Sequence, residues 1–199
     1  MDQILFSWAR RVRRGKLPPL FLFTDPARMD VLALARTLPP GLCGVVFRHD
    51  AAPDRAALAR RLSAICRARR LVLVIAGDAK LALTLHASLH LRGGARPDLT
   101  RLPRHALRTA SVHDARELRR ARDNAANIVF ISPAFPTRSH PGAAALGAYR
   151  WRRLARRAAP AKAYALGGVD GTSARRLGAL CAGAGAIDAF LSSHGIERF

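Results

Sequence analysis

Cysteine is scarce in this sequence: three in 199 residues, at positions 43, 66 and 181, far apart and never at the spacing of paired metal ligands. That speaks against a disulfide framework and against a cysteine zinc site, and Cys43, Cys66 and Cys181 read as small core residues of a reducing cytoplasm. Aromatic residues are few as well, 6% where half the chain is hydrophobic. The core must then be Ala, Leu and Val, which suits helices packed on short buried strands. No apolar run approaches the roughly 20 residues that span a bilayer, so no membrane partner is expected. The N-terminal stretch MDQILFSWARRVRRGKLPP lacks the charged–apolar–small order of a secretory signal and reads as one basic amphipathic helix ending before Pro18. Acidic residues are the last shortage: 13 against 34 Lys and Arg, for a formal charge of +21. Such a field attracts nucleic acid, anionic lipid and phosphorylated ligands alike. The arginines, however, are spread through WARRVRRGK, ARRLSAICRARR, ELRRARD and RWRRLARR, with no aromatic interleaving of a base-stacking platform. They read as solvated helix faces; the charge permits nucleic-acid binding without arguing for it.

What the sequence does have is alternation. Short apolar runs fall at LFLFT (20–24), GVVFR (44–48), LVLVI (71–75), SLHL (88–91), ALRTA (106–110), NIVFI (127–131), AYALG (163–167) and AIDAFL (186–191). Their brevity and near-continuous hydrophobicity suit strands covered on both faces. Between them, segments such as RMDVLALARTL, DRAALARRLSAICRARR, HDARELRRARDN and GTSARRLGALCAGA repeat Ala and Leu at helical spacing, with Asp54, Asp114 and Thr172 placed as caps or first-turn residues. Eight strands alternating with helices predict an α/β chain folded as a single (β/α)₈ TIM barrel over residues 19–199, with residues 1–18 as an extra basic N-terminal helix. An open doubly wound sheet is the competitor, but the first strand leads into FTDPAR and not into a glycine fingerprint.

In such a barrel the chemistry sits at the C-terminal ends of the strands. Nearly every apolar run here finishes in glycine or something polar, from Thr24 and Asp25 through Arg48 and His49 to Ser192 and Ser193. ALGGVDGTSARR sets Gly167 and Gly168 after the seventh run and before a helix, where exposed backbone N–H groups can hold a phosphate. The hydroxyls of Ser192 and Ser193, after the eighth, would add donors. Glycine pairs also make ordinary turns; the strand count is what favours phosphate. His113, in TASVHDARE, can take and give a proton near neutrality, or merely stand exposed in a helix's first turn. His90 and His140 keep company with it as candidates, while His86, His105 and His194 have no evident setting.

Taken in order, LFLFTD, GVVFR, HASLHLRGG, ASVHDARE, ISPAFPTRSHPG, ALGGV and AGAGAIDAFLSS resemble the thiamine phosphate synthase and TenI superfamily, from about residue 20 to 193. The resemblance implies a (β/α)₈ barrel acting on a thiazole phosphate. Of a synthase's Gln-x-Arg-x-Lys pattern the chain keeps Arg48, with Val46 and Asp50 at the flanking positions; the Asn-Asp pair of the magnesium and pyrophosphate site falls on Ala76 and Gly77. The following aspartate ligand falls on Ala95, Asp78 and Asp98 are out of register, and His140 stands where a synthase shows lysine. Such a set offers a hard cation no side-chain oxygen, so no metal and no other cofactor is expected, Mg²⁺ belonging only to a synthase reading. On the thiazole side Ser111, Thr137, Gly167, Gly168, Ser192 and Ser193 match phosphate- or substrate-holding positions, and His113 matches the histidine that TenI-like proteins use in tautomerising a thiazole carboxylate phosphate. The expectation is therefore a cytoplasmic thiamine-biosynthesis enzyme, a TenI-like thiazole tautomerase with His113 as acid and base and a small phosphorylated thiazole as ligand. The alternatives are a divergent thiamine phosphate synthase that couples pyrimidine pyrophosphate to thiazole phosphate, and a non-catalytic barrel that binds a phosphorylated ligand. A homo-oligomer is compatible with all three.

Overall fold

Eight strands pair in parallel, each with the next in sequence: β1 (Leu20–Phe23), β2 (Cys43–Phe47), β3 (Val72–Ala76), β4 (Ser88–Leu91), β5 (Arg108–Val112), β6 (Ile128–Ile131), β7 (Lys162–Leu166) and β8 (Gly183–Ala186). The computed structural model describes residues 1–92, 103, 106–137, 142 and 144–191. Leu20 faces Cys43 on one side and Ala184 on the other, so the sheet closes into the expected barrel. Around it run α1 (Gln3–Val12), α2 (Val31–Thr37), α3 (Arg55–Ala68), α4 (Ala79–Thr84), α5 (Ala115–Asp123), α6 (Gly147–Ala155), a 3₁₀ helix (Ala174–Leu180) and the single turn α7 (Asp188–Leu191).

The few aromatics are concentrated inside. Phe21, Phe23, Phe130 and Tyr164 are buried together in the lumen with Val46, Val74 and Ile128, their rings meeting edge to face at centroid separations from 4.8 to 5.9 Å. Rings of this size need small neighbours, and β8 supplies them. A Cβ on Gly183 would lie 2.2 Å from the Tyr164 ring, and one on Gly185 2.5 Å from Phe23. That corrects the sequence expectation for the last strand: it is GAGA and not AIDAFL, because the lumen selects for lack of volume there. The fifth strand is likewise two residues later than expected, which brings Ser111 into the strand itself.

Aspartates start many of the helices. The carboxylates of Asp2, Asp30, Asp78 and Asp114 accept first-turn N–H groups at 2.8–3.1 Å. Asp54 occupies an N-cap position without such a bond. The expected helix over GTSARRLGALCAGA is a 3₁₀ helix broken at Gly178, whose φ is +70°; its entrance is organised by Asp170, which accepts from Thr172 and Ser173, and not by Thr172.

The N-terminal helix α1 buries Leu5, Phe6, Trp8 and Ala9 in the same core as the outer faces of the strands. Its start is pinned near the barrel mouth, where Asp2 N–H donates to the Ala189 carbonyl at 2.7 Å and the Asp2 carboxylate accepts from Gly171 N–H at 2.9 Å. No helix among the described residues is long and apolar enough to cross a membrane. Cys43, Cys66 and Cys181 are free and buried, and burial pushes each thiol up to about 12.

Candidate active site

The strand ends of β6, β7 and β8 frame a cleft of about 350 Å³ whose lining includes Phe23, Arg48, Ser132, Thr137, Gly167 and Gly168. Four of the expected site residues, Arg48, Thr137, Gly167 and Gly168, thus meet in one space. The glycine pair is fixed by geometry. Its φ angles are +84° and +62°, and a Cβ on Gly168 would lie 2.3 Å from the Pro136 carbonyl oxygen, while one on Gly167 would lie 3.0 Å from Pro133. Only glycine lets the loop after β7 turn left-handed against the loop after β6. Neither Gly167 nor Gly168 N–H donates to a backbone carbonyl among the described residues.

The same end carries three carboxylates, Asp2, Asp170 and Asp188. Each is engaged: Asp188 pairs with Arg28, Asp2 holds Leu5 and Gly171 N–H, and Asp170 holds Thr172 and Ser173. Because β8 ends at Ala186, the polar residue that follows it is Asp188, in the first turn of α7; Ser192 and Ser193 lie beyond that turn, outside the described residues. A phosphate at the glycine pair would therefore meet an end of the cleft less electropositive than the sequence implied.

His113 and Ser111, two residues apart on β5 and its exit, face different partners. The His113 backbone N–H donates to Glu117 Oε2 at 2.8 Å, and Glu117 N–H donates to the N-cap Asp114 Oδ1 at 2.8 Å, so the first turn of α5 fixes the histidine's backbone. Its ring Nδ1 sits 2.7 Å from the carbonyl oxygen of Ser132, a cleft-lining residue. A carbonyl only accepts, so Nδ1 carries the proton and neutral His113 keeps its lone pair on Nε2. The ring itself is exposed at the rim. Ser111 Oγ lies 3.1 Å from His90 Nε2, and His90 Nδ1 lies 2.7 Å from Thr109 Oγ1. Burial, with Arg48 and Arg92 adding repulsion, depresses the His90 pKa to about 3. His90 is thus a neutral lumen residue packed on Phe23 and Phe130, not a proton shuttle at neutral pH. His140 lies outside the described residues.

Across the mouth, the ends of β2, β3 and β4 carry a charge network that sequence reading missed. Arg55, reaching in from α3, bonds Asp78 at 2.7 Å and the Ala76 carbonyl at 2.8 Å, and lies 3.4 Å from Asp50. Arg92, after β4, also pairs with Asp50. Its stem lies against Gly77, where a Cβ would be 3.0 Å from Arg92 Cδ. Arg48 stands over the Phe23 ring at 5.4 Å, its Nε 3.1 Å from the Thr24 carbonyl. His49 is buried behind it, stacked on Phe47 and bonded through Nδ1 to Thr24 Oγ1 at 3.0 Å. Charged residues after each of three adjacent runs were the visible signal; their pairing needed the barrel order.

The Mg²⁺ that a synthase would use does not fit this network. Ala76 and Gly77 present no side-chain oxygen, Asp50 and Asp78 already answer guanidiniums, and no group of three or more His, Cys, Asp or Glu among the described residues could hold a metal ion.

A closed parallel barrel with an aromatic floor and its polar side chains gathered at the strand C-termini is the layout of a (β/α)₈ enzyme. The family model TMP-TENI, thiamine monophosphate synthase, matches residues 20–188, and the chain belongs to that family. It is 32% identical over 166 residues to the thiamine-phosphate synthase of Thermosynechococcus vestitus, a match covering 80% of this chain and 47% of that protein. The chain thus spans about half the length of that curated relative. Among solved structures, thiamine phosphate pyrophosphorylase from Pyrococcus furiosus superposes with a TM-score of 0.74 at 21% identity, over 90% of each chain. FabK from Thermotoga maritima gives 0.62 at 12% identity, over 89% of this chain and 60% of the other; at these identities both show the fold alone.

Proposed function

We propose that this barrel couples an activated pyrimidine to thiazole phosphate, as a thiamine phosphate synthase does. The observation that carries the reading is that one cleft joins a cation to a glycine loop: Arg48, Gly167 and Gly168 all line it, together with Phe23. The family match and the relative's name support it. In the reaction the carbon–oxygen bond between the pyrimidine methylene and diphosphate breaks, diphosphate leaves with the electron pair, and the thiazole nitrogen bonds to the methylene. The glycine N–H groups and Thr137 would hold the thiazole phosphate, Phe23 would floor the rings, and Arg48 would face the departing diphosphate. Positioning of this kind lowers a barrier by holding the two reacting centres together. The test is incubation with the pyrimidine methyl diphosphate and thiazole phosphate: thiamine phosphate should accumulate, and its absence with a folded protein would overturn the proposal.

A second reading, tautomerisation of a thiazole carboxylate phosphate, is favoured by the His113 geometry. Nδ1–H anchored on Ser132 leaves Nε2 to remove a ring proton, and general acid–base catalysis contributes about 10²–10⁴-fold. Aromatisation followed by absorbance should then be accelerated and should lose about that factor in His113→Gln; no acceleration by the wild type would eliminate this reading.

A further inference from the structure

We infer that the β2–β4 side of the mouth binds a diphosphate through guanidinium groups alone, with no divalent cation. The inference rests on the coupling reading for its choice of anion. Its structural basis is the arrangement of Arg48, Arg92 and Gly77. Arg92 crosses the end of β3 where residue 77 has no side chain, and any side chain there would have to push the arginine stem aside. Asp50 pairs with Arg92, but one carboxylate cannot occupy the five N–H donors of a guanidinium. Arg48, held from below by the Thr24 carbonyl and the Phe23 face, forms no hydrogen bond through its terminal nitrogens among the described residues. Arg92 reaches Asp50, whose backbone N–H donates to the Arg48 carbonyl at 2.8 Å, so the end of one arginine lies beside the backbone of the other. Arg55 does the remaining work from behind, holding the Ala76 carbonyl, Asp78 and Asp50, the oxygens a cation would otherwise seek.

The chemistry follows from that disposition. A diphosphate brings several negative oxygens, and planar guanidiniums meet them with paired N–H donors. Two such forks neutralise charge in place of a metal and need no water-stripping of a hydrated ion.

The experiment is calorimetric titration of inorganic pyrophosphate into the whole chain, in EDTA and again with Mg²⁺, for wild type and Arg92→Gln. Wild type should bind in EDTA, Mg²⁺ should leave binding equal or weaker, and Arg92→Gln should bind about tenfold more weakly or worse, the loss of a charge-assisted pair, with unchanged thermal unfolding. Binding only when Mg²⁺ is present, or Arg92→Gln binding like wild type, would overturn it. The two proposals separate cleanly. Pyrophosphate bound in EDTA by a protein that forms no thiamine phosphate upholds the inference and removes the coupling reading. Coupling that stops in EDTA does the reverse.

Discussion

The two sides of the barrel mouth solve the same problem in opposite ways. On the β2–β4 side the charges are side chains, Arg55 and Arg92 tied to Asp50 and Asp78 in a network that needs no ligand, with Arg48 beside it on the Phe23 ring. On the β7–β8 side the donors are backbone N–H groups of Gly167 and Gly168, held by conformation, and the nearby side-chain charges are three engaged carboxylates. A side-chain network keeps its charges but can be altered one residue at a time. A backbone donor pair has a fixed shape and tolerates no substitution at its glycines.

That contrast sets the order of expected effects. Gly168→Ala should be the most damaging change: a left-handed φ and a Cβ driven onto the Pro136 carbonyl should cost about 3 kcal/mol or more in urea unfolding. A loss under about 1 kcal/mol would mean the loop can turn without glycine. Next comes acid. His90 is neutral in the folded chain, with its pKa lowered to about 3 from 6.5, so the unfolded chain binds a proton that the folded chain refuses. This contribution is complete above about pH 6.5 and is lost progressively as pH falls toward about 3, by a few kcal/mol in all. The stability gap between wild type and His90→Gln should therefore shrink over that window; a pH-independent gap would show that the ring is not desolvated. Asp188→Ser comes third. Removing a carboxylate from the glycine end and freeing Arg28 should tighten thiazole phosphate about tenfold, the size of one partly screened charge contact, and no change would show that Asp188 lies clear of the phosphate. Smallest is Tyr164→Phe, which removes a buried bond from Tyr164 Oη to the Pro18 carbonyl at 3.0 Å and should cost about 1 kcal/mol in the same urea assay.

How much of this was legible in the sequence depended on whether a feature was local. The eight-strand alternation was, because buried parallel strands advertise themselves as apolar runs between amphipathic helices. The eighth strand was not: AIDAFL is the more hydrophobic segment, yet GAGA is the strand, since the Tyr164 and Phe23 rings it faces come from elsewhere in the chain. The site divides the same way. Arg48, Thr137, Gly167 and Gly168 could be read as strand-end residues, and the fold brings them to one cleft. Asp188 follows the eighth strand because that strand ends at Ala186, earlier than the sequence suggested, while Ser192 and Ser193 lie outside the described residues. The Arg55–Asp78 and Arg92–Asp50 pairs join residues 23 and 42 positions apart, and only the order of strands around the barrel reveals them.

The account stands most directly on where the thiazole phosphate goes. Amide and arginine Nε resonances of an isotope-labelled chain, followed during titration with thiazole phosphate, would locate it. The account predicts that Gly167 and Gly168 amides shift with saturation while the Arg92 side chain does not. Silent glycines beside a responding Arg92 would contradict it, placing the ligand's phosphate on the guanidinium side and leaving the glycine pair as a turn.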